Sequence, residues 1–590
     1  MKRNWMFTLA FVALVYLPGA LFAQNPGITA DELRDHVTYL AGDDLKGRKA
    51  GKTGGRKAAE YIREQFRNYG LELMMDEGFQ KFELINAAEA GPKNMMRVNG
   101  DKAEAKNDFI PVSFSANSKH SAEVVFAGYG FDIDKDTLGW HDYKGIDAEG
   151  KWVMMFRGDP QPNNPHSPYV TYAMPRSKVV TAEDHNAGGV LFVTPEGMNE
   201  KDGLPEIFYD KTATKADIPV LTITRALADK ILAGKEMSIS QLEKKLTEGR
   251  KPHSFKTGTT VTARADVVLE KAITQNVVAR IKASQSDEYV IIGAHYDHLG
   301  MGGPGSGSRK PDTTAVHNGA DDNASGTAGL IELAGKLQHE KAGLQRNVIF
   351  VAFGAEEMGL LGSKHFVANM PVPKEKIVAM MNFDMLGRMD NEEKSLSVSG
   401  VGTAKEFEKV LKANTGEADF TLSTSKDGYG PSDHAAFYAA DIPVLFVSTG
   451  AHGDYHTPAD DADLLNYRAQ EGVVQYAYRL TKDLAGTQQL TFQKSGSKNK
   501  TRRMRLKVTF GIIPDYSGKV EKGLGVDGVK DGGPADKGGM KKGDVITAIE
   551  GKPVGDIYEY MHRLQDLESG QTISVDVLRD GKEKVLILQL

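Results

Sequence analysis

Four apolar runs, YVIIGAH, NVIFVAFGAEE, IVAMMNFD and IPVLFVSTGAHGDYH, fall between residues 289 and 456, and each passes directly into acidic or imidazole side chains. A run this apolar, without alternation, reads as a strand buried on both faces, which belongs in a sheet covered by helices. In open α/β sheets the carboxyl ends of the strands converge on one edge, so His295, Glu356, Glu357, Asp384 and His456 can meet there although far apart in the chain. Asp322 joins them from the loop ADDNASG, ahead of a helical pattern whose Ile331, Ala334 and Leu337 face inward. The expected fold is α/β: a three-layer αβα domain around a mixed central sheet.

The donor types restrict the chemistry. The chain contains no cysteine, which excludes disulfides, thiol catalysis and thiolate ligands, so any metal must be held by His and carboxylates. Two imidazoles and three carboxylates suit a pair of Zn ions with one carboxylate bridging. Taken singly, each residue has a plain structural reading. A His at a strand end is usually a polar loop residue, Glu356 and Glu357 suit a helix start, and Asp384 suits a strand cap. His298, His434 and His452 show that histidines are not confined to the strand ends. Jointly these readings require every apolar strand of the domain to end by chance in a metal-competent side chain.

With 590 residues the chain exceeds what one core usually supports, and two to four domains are expected. Its formal charge of -6 lacks long runs of either sign, so a peptide or small substrate is favoured and no nucleic acid is expected. Residues 1–23, MKRNWMFTLAFVALVYLPGALFA, have the pattern of a cleavable signal, with Leu21 departing from the A-x-A preference. Export to the periplasm or beyond is expected, with no stable membrane insertion after cleavage. Residues 24–105 form the N-terminal part of the main domain. There Thr29 and Glu32 form a capping-box pattern before one helix, and a second carries Ala58, Ile62, Phe66 and Tyr69 and ends at Gly70. Residues 106–262 have the short-strand texture of an inserted domain, 263–487 carry the central sheet, 488–502 read as a linker, and 503–590 read as a β-rich tail with turns at Asp531-Gly532, Lys542-Gly543 and Asp580-Gly581.

The segments GAHYDHLG, NGADDNASG, FGAEEMGLLGS, NFDMLG and DYHTPAD, in that order, resemble the co-catalytic zinc aminopeptidase family of secreted bacterial leucine aminopeptidases. The resemblance implies two Zn ions per chain, one on His295 and Asp384, the other on Glu357 and His456, with Asp322 bridging. It implies that Glu356 is the general base, Asp297 the carboxylate that orients His295, and Tyr455 the hydrogen-bond donor to the reacting oxyanion. Asp321 matches a non-ligand position. The implied reaction is hydrolysis of N-terminal residues from peptide substrates. Arg388 reads as a structural ion pair or a substrate-carboxylate contact, and Ser432, Asp433 and His434 as pocket lining or a helix cap. The insert, with FAGYGF and AGGVLFVTP, resembles a protease-associated domain. The tail resembles a PDZ domain, in which Phe510, Gly511 and Ile512 match the loop that receives a peptide C-terminus, although Gly-Ile-Ile-Pro departs from the usual loop. Alternatives on the same scaffold are a carboxypeptidase or dipeptidase, a single-zinc glutaminyl cyclase, or a non-catalytic receptor.

Overall fold

The structure is a computed structural model that describes residues 27–590 except 134–137, 163, 165–166, 170–171, 200, 210–214, 284, 417, 487–488, 496–507, 515–522, 530–531, 555–559, 561–562, 565–566 and 568–569. The expected signal at 1–23 and most of the expected linker lie outside the described residues.

The main sheet is built from β1 (Glu72–Leu73), β2 (Phe79–Ala90), β3 (Val267–Ile281), β4 (Tyr289–His295), β5 (Asn347–Phe353), β6 (Ile377–Phe383), β7 (Ser395–Ser399), β8 (Thr421–Thr424) and β9 (Val444–Ser448). Its order is β1-β3-β5-β4-β6-β9-β7-β8, with β2 also pairing to β3. The four strands at its centre, β5, β4, β6 and β9, run parallel, and β3 and β7 flank them antiparallel, so the sheet is mixed. The continuous apolar runs follow from burial on both faces. On β5, Val348, Phe350 and Ala352 join one core while Ile349, Val351 and Phe353 join the other. Helices α1 (Ala30–Leu40), α2 (Thr53–Asn68), α3 (Gly326–His339) and α5 (Tyr467–Leu484) contribute to the first core, and α4 (Leu361–Ala368) contributes Phe366 to the second. Each fully buried Phe, Ile or Leu side chain contributes about 1.5–3 kcal/mol, which fixes the register of the layers.

The two expected N-terminal helices form. Thr29 Oγ1 caps α1 by accepting from Glu32 N at 3.3 Å, while the Glu32 carboxylate takes the Thr29 hydroxyl rather than closing a full capping box. Gly70, at φ +77°, ends the second helical segment as expected. The inserted domain has its own eight-stranded sheet, and this sheet already includes Met95–Val98 and Asp101–Ala103. The change of sheet therefore falls near residue 91 rather than at 106. The overlooked signal is Asn99-Gly100, both at positive φ, a two-residue connection between paired strands. The insert is joined to the main domain through the antiparallel β2–β3 ribbon, which pairs from Val267↔Ala90 to Val277↔Phe79. The tail forms a third sheet over a small core that includes Phe510, Val575 and Leu588. Asp580-Gly581 is its expected tight turn, between the paired Arg579 and Lys582.

Candidate dinuclear metal site

The parallel register aligns the strand ends. His295 is paired with Phe353, Ala294 with Phe383, and Phe383 with Val447, so the residues just beyond them emerge on one edge. His295 is the last residue of β4, Glu356 and Glu357 lie in the turn after β5, Asp384 follows β6, and His456 lies in the loop after β9. Ala355, Met385 and His456 adopt positive φ at these turns. Three non-glycine residues in the left-handed region beside one cluster mark a site whose backbone is set by its surroundings.

Asp322 sits at the centre. Its Oδ1 lies 3.3 Å from His295 Nε2 and its Oδ2 lies 3.1 Å from His456 Nε2. His295 Nε2 is also 3.4 Å from Asp384 Oδ1, and His456 Nε2 is 3.4 Å from Glu357 Oε2. Bonds of about 2.0–2.1 Å to a tetrahedral ion put neighbouring donor atoms about 3.3 Å apart. The four separations therefore fit two adjoining metal coordination spheres sharing Asp322. His295, Glu356 and Asp384 offer one group of mutually close donor atoms, and His298, Asp322 and Glu357 offer a second. The sequence singles out His295, Asp322, Glu357, Asp384 and His456 as ligand candidates but leaves His298 aside.

The surroundings orient these donors. His456 Nδ1 is 3.1 Å from the carbonyl of Gly307 and His295 Nδ1 is 3.2 Å from the carbonyl of Asp297. With those N–H groups donating, Nε2 of each ring keeps its lone pair for a cation. The Asp297 carboxylate is farther from His295, at 4.0 Å, and instead accepts from Glu356 N at 2.9 Å. Asp297 thus reaches His295 through its main chain and positions the Glu356 turn through its side chain. Asp460 accepts from Asp321 N and Asp322 N, and Asn323 donates to the Phe383 carbonyl and accepts from Met385 N, tying the Asp322 loop to the end of β6. Asp321 accepts from Ser325 Oγ and Gly387 N, a structural part that matches its non-ligand position.

Beneath the site Arg48 is fully buried. It donates to the carbonyls of Leu40, Tyr296, Asn318 and Gly319 at 2.5–2.9 Å, and burial lowers its pKa to about 10 against the opposing pull of Asp322 and Asp297. Nothing in the local sequence distinguishes it from a surface basic residue.

Charge is concentrated here. Burial would lower the His456 imidazole, but Glu357 and Asp322 overcome it and raise its pKa to about 11. His295 is likewise raised well above the usual range, by Asp384 and Glu356 against burial. Glu356 is raised well above the carboxylate range by burial, with Glu357, Asp433 and Asp384 adding to it. Burial pushes Asp297 and Asp433 up to about 7. Tyr455 stacks on His456 with ring centroids 3.9 Å apart, and burial followed by the surrounding carboxylates holds its phenol protonated.

Arg388 pairs with Asp454 at 2.9 Å, the structural ion pair of its two readings. Ser432, Asp433 and His434 are all buried, and Asp433 forms no side-chain cap on the short helix His434–Tyr438. Ser432 Oγ accepts from Asn382 Nδ2, and His434 stacks on Phe446.

Residues 276–481 match Peptidase family M28, and residues 504–590 match the PDZ domain. An aminopeptidase of Pseudomonas aeruginosa is 34% identical over 200 residues, covering 32% of this chain and 33% of that protein, so the chain spans about a third of the length of this relative. Aminopeptidase YwaD of Bacillus subtilis is 24% identical over 423 residues, covering 70% of this chain and 76% of that protein. The solved aminopeptidase from Aneurinibacillus sp. strain AM-1 aligns with a TM-score of 0.48 at 22% identity, covering 79% of this chain and 96% of that one. The stretch that matches Peptidase family M28, residues 276–481, holds every candidate donor of the cluster.

Proposed function

We propose that the chain is an exported zinc-dependent aminopeptidase that removes N-terminal residues from peptides at a dizinc site. The observation that carries this reading is Asp322, whose two oxygens face two different imidazoles at 3.3 and 3.1 Å. One zinc is assigned to His295 and Asp384, the other to Glu357 and His456, with Asp322 between them. Zinc bound there would polarise the scissile carbonyl and acidify the attacking water.

The protein groups then divide the work. Glu356 reaches the same edge from a turn anchored by Asp297, and beside cations its carboxylate takes the proton from water and returns it to the leaving amine. Tyr455, kept protonated, donates to the oxygen on which negative charge develops. Glu356 and Asp384 supply the negative charge that a free α-ammonium requires. No helix among the described residues is long and apolar enough to cross a membrane. In the tail, Ile512–Pro514 is the end strand of the described sheet, where a peptide C-terminus would add as a further strand.

The test compares kcat/KM for a leucine anilide and its N-acetyl form, with and without chelator. Free substrate should be strongly preferred, and activity should vanish on chelation and return with zinc. Equal rates on the two substrates, or full activity in metal-free protein, would refute the proposal.

A further inference from the structure

The assigned ligand set leaves out an imidazole that lies against it. His298 is 1% exposed, and its Nδ1 is 2.8 Å from Glu357 Oε1 and 3.9 Å from Asp322 Oδ2. Its ring stands nearly perpendicular to that of His456, with centroids 5.7 Å apart. The short contact with Glu357 lacks the geometry of an N–H···O hydrogen bond, and neither ring nitrogen of His298 has a hydrogen-bond partner. Burying an imidazole with both nitrogens unsatisfied is unfavourable, so the placement calls for a partner. The ring is seated by a cradle that only glycine leaves open. A Cβ on Gly319, which sits at φ +57°, would come within 2.5 Å of His298 Cδ2.

We propose that His298 is a direct ligand, through Nδ1, of the metal held by Glu357 and His456. This rests on the dizinc reading and extends it. That locus then has two imidazoles and two carboxylates, while the locus of His295 and Asp384 has one imidazole and two carboxylates, Asp322 being common to both. The two sites are therefore unequal. Nitrogen donors favour zinc over harder ions, so the His298 locus fills first and holds zinc most tightly, and the other, with three protein donors, keeps the more open coordination.

The experiment titrates the metal-free full chain with Co(II), followed by visible absorption and calorimetry, for the native protein and for His298→Ala and His298→Asn. Losing an outer-shell partner of a ligand costs about 10- to 100-fold in affinity, so losing a direct ligand should weaken one of the two sites at least about 100-fold. Both variants should show this loss, because asparagine can donate a hydrogen bond to Glu357 but replaces imidazole poorly as a ligand. Restoration of native affinity by asparagine would make His298 a hydrogen-bond donor and overturn the inference, as would two unweakened sites in the alanine variant. The native protein provides a reading that needs no variant. Fully Co(II)-loaded, it should give three paramagnetically shifted imidazole N–H resonances, from His295, His298 and His456, whereas two would overturn the inference alone. Native protein that binds no metal would overturn the dizinc reading and this inference together.

Discussion

Arg48→Met should unseat the metal site from below, although Arg48 is not among the donors. The substitution keeps the aliphatic stem and removes the donor shared by the carbonyls of Leu40, Tyr296, Asn318 and Gly319; the Gly319 carbonyl still accepts from Ala324 N, and the other three are freed. At about 1–2 kcal/mol for each of the three carbonyls left unsatisfied, the loss is about 3–6 kcal/mol. Part is offset because a buried cation is relieved. Burial lowers the Arg48 pKa from 12.5 to about 10, a desolvation cost of roughly 3 kcal/mol at 1.36 kcal/mol per unit. The net destabilisation is then about 0–3 kcal/mol, centred near 1.5, which lowers the midpoint by roughly 3–6 °C for a domain of this size. Two of the freed carbonyls follow His295 or precede Asp322 closely in the chain, so zinc affinity should fall as well. Calorimetric unfolding of the metal-free and zinc-loaded protein checks both effects. Arg48→Lys, which keeps the charge but not the fork of donors, should fall between. A native midpoint with native zinc affinity in Arg48→Met would refute the reasoning.

The adjacent glutamates should separate by function. Glu356→Gln should retain both metals yet lose about 10²–10⁴ in kcat, whereas Glu357→Gln should lose metal, as metal analysis and single-turnover rates will show. The reverse pattern would invalidate the assignment. The pH response should differ in sign between the metal-free and loaded protein. Because the folded pKa of His456 is raised to about 11, its contribution to metal-free stability is full below the unfolded value of about 6.5 and is lost as pH rises toward 11. Metal binding must displace that proton, so zinc affinity should rise with pH over the same window, and calorimetry in two buffers should register proton release. Zinc binding without proton release at pH 7 would contradict the charge state derived for His456.

The strand ends were legible because burial on both faces leaves an uninterrupted apolar run, and a polar residue at its end stands out against it. Phe350 and Val351 face opposite cores, so no alternation blurred the signal. The tight turn at Asp580-Gly581 was legible from residues that tolerate positive φ. The same chemistry at Asn99-Gly100 marks a turn between paired strands of the second sheet, ahead of residue 106. Arg388 carried two readings that only the position of Asp454 could separate.

The sequence by itself determined the αβα class, the order in which the parallel strands' polar ends follow one another, and which five side chains there are metal-competent candidates, because periodicity and residue type are local properties. Only the tertiary structure decided that Arg48 binds the carbonyl of Tyr296, 248 positions away, that Gly307 orients His456 across 149, and that His298 faces Glu357. These contacts depend on where separate loops are brought by the packing of the sheet and its helices. A backbone carbonyl as hydrogen-bond partner carries no mark of residue type, so nothing in the one-dimensional pattern could announce it.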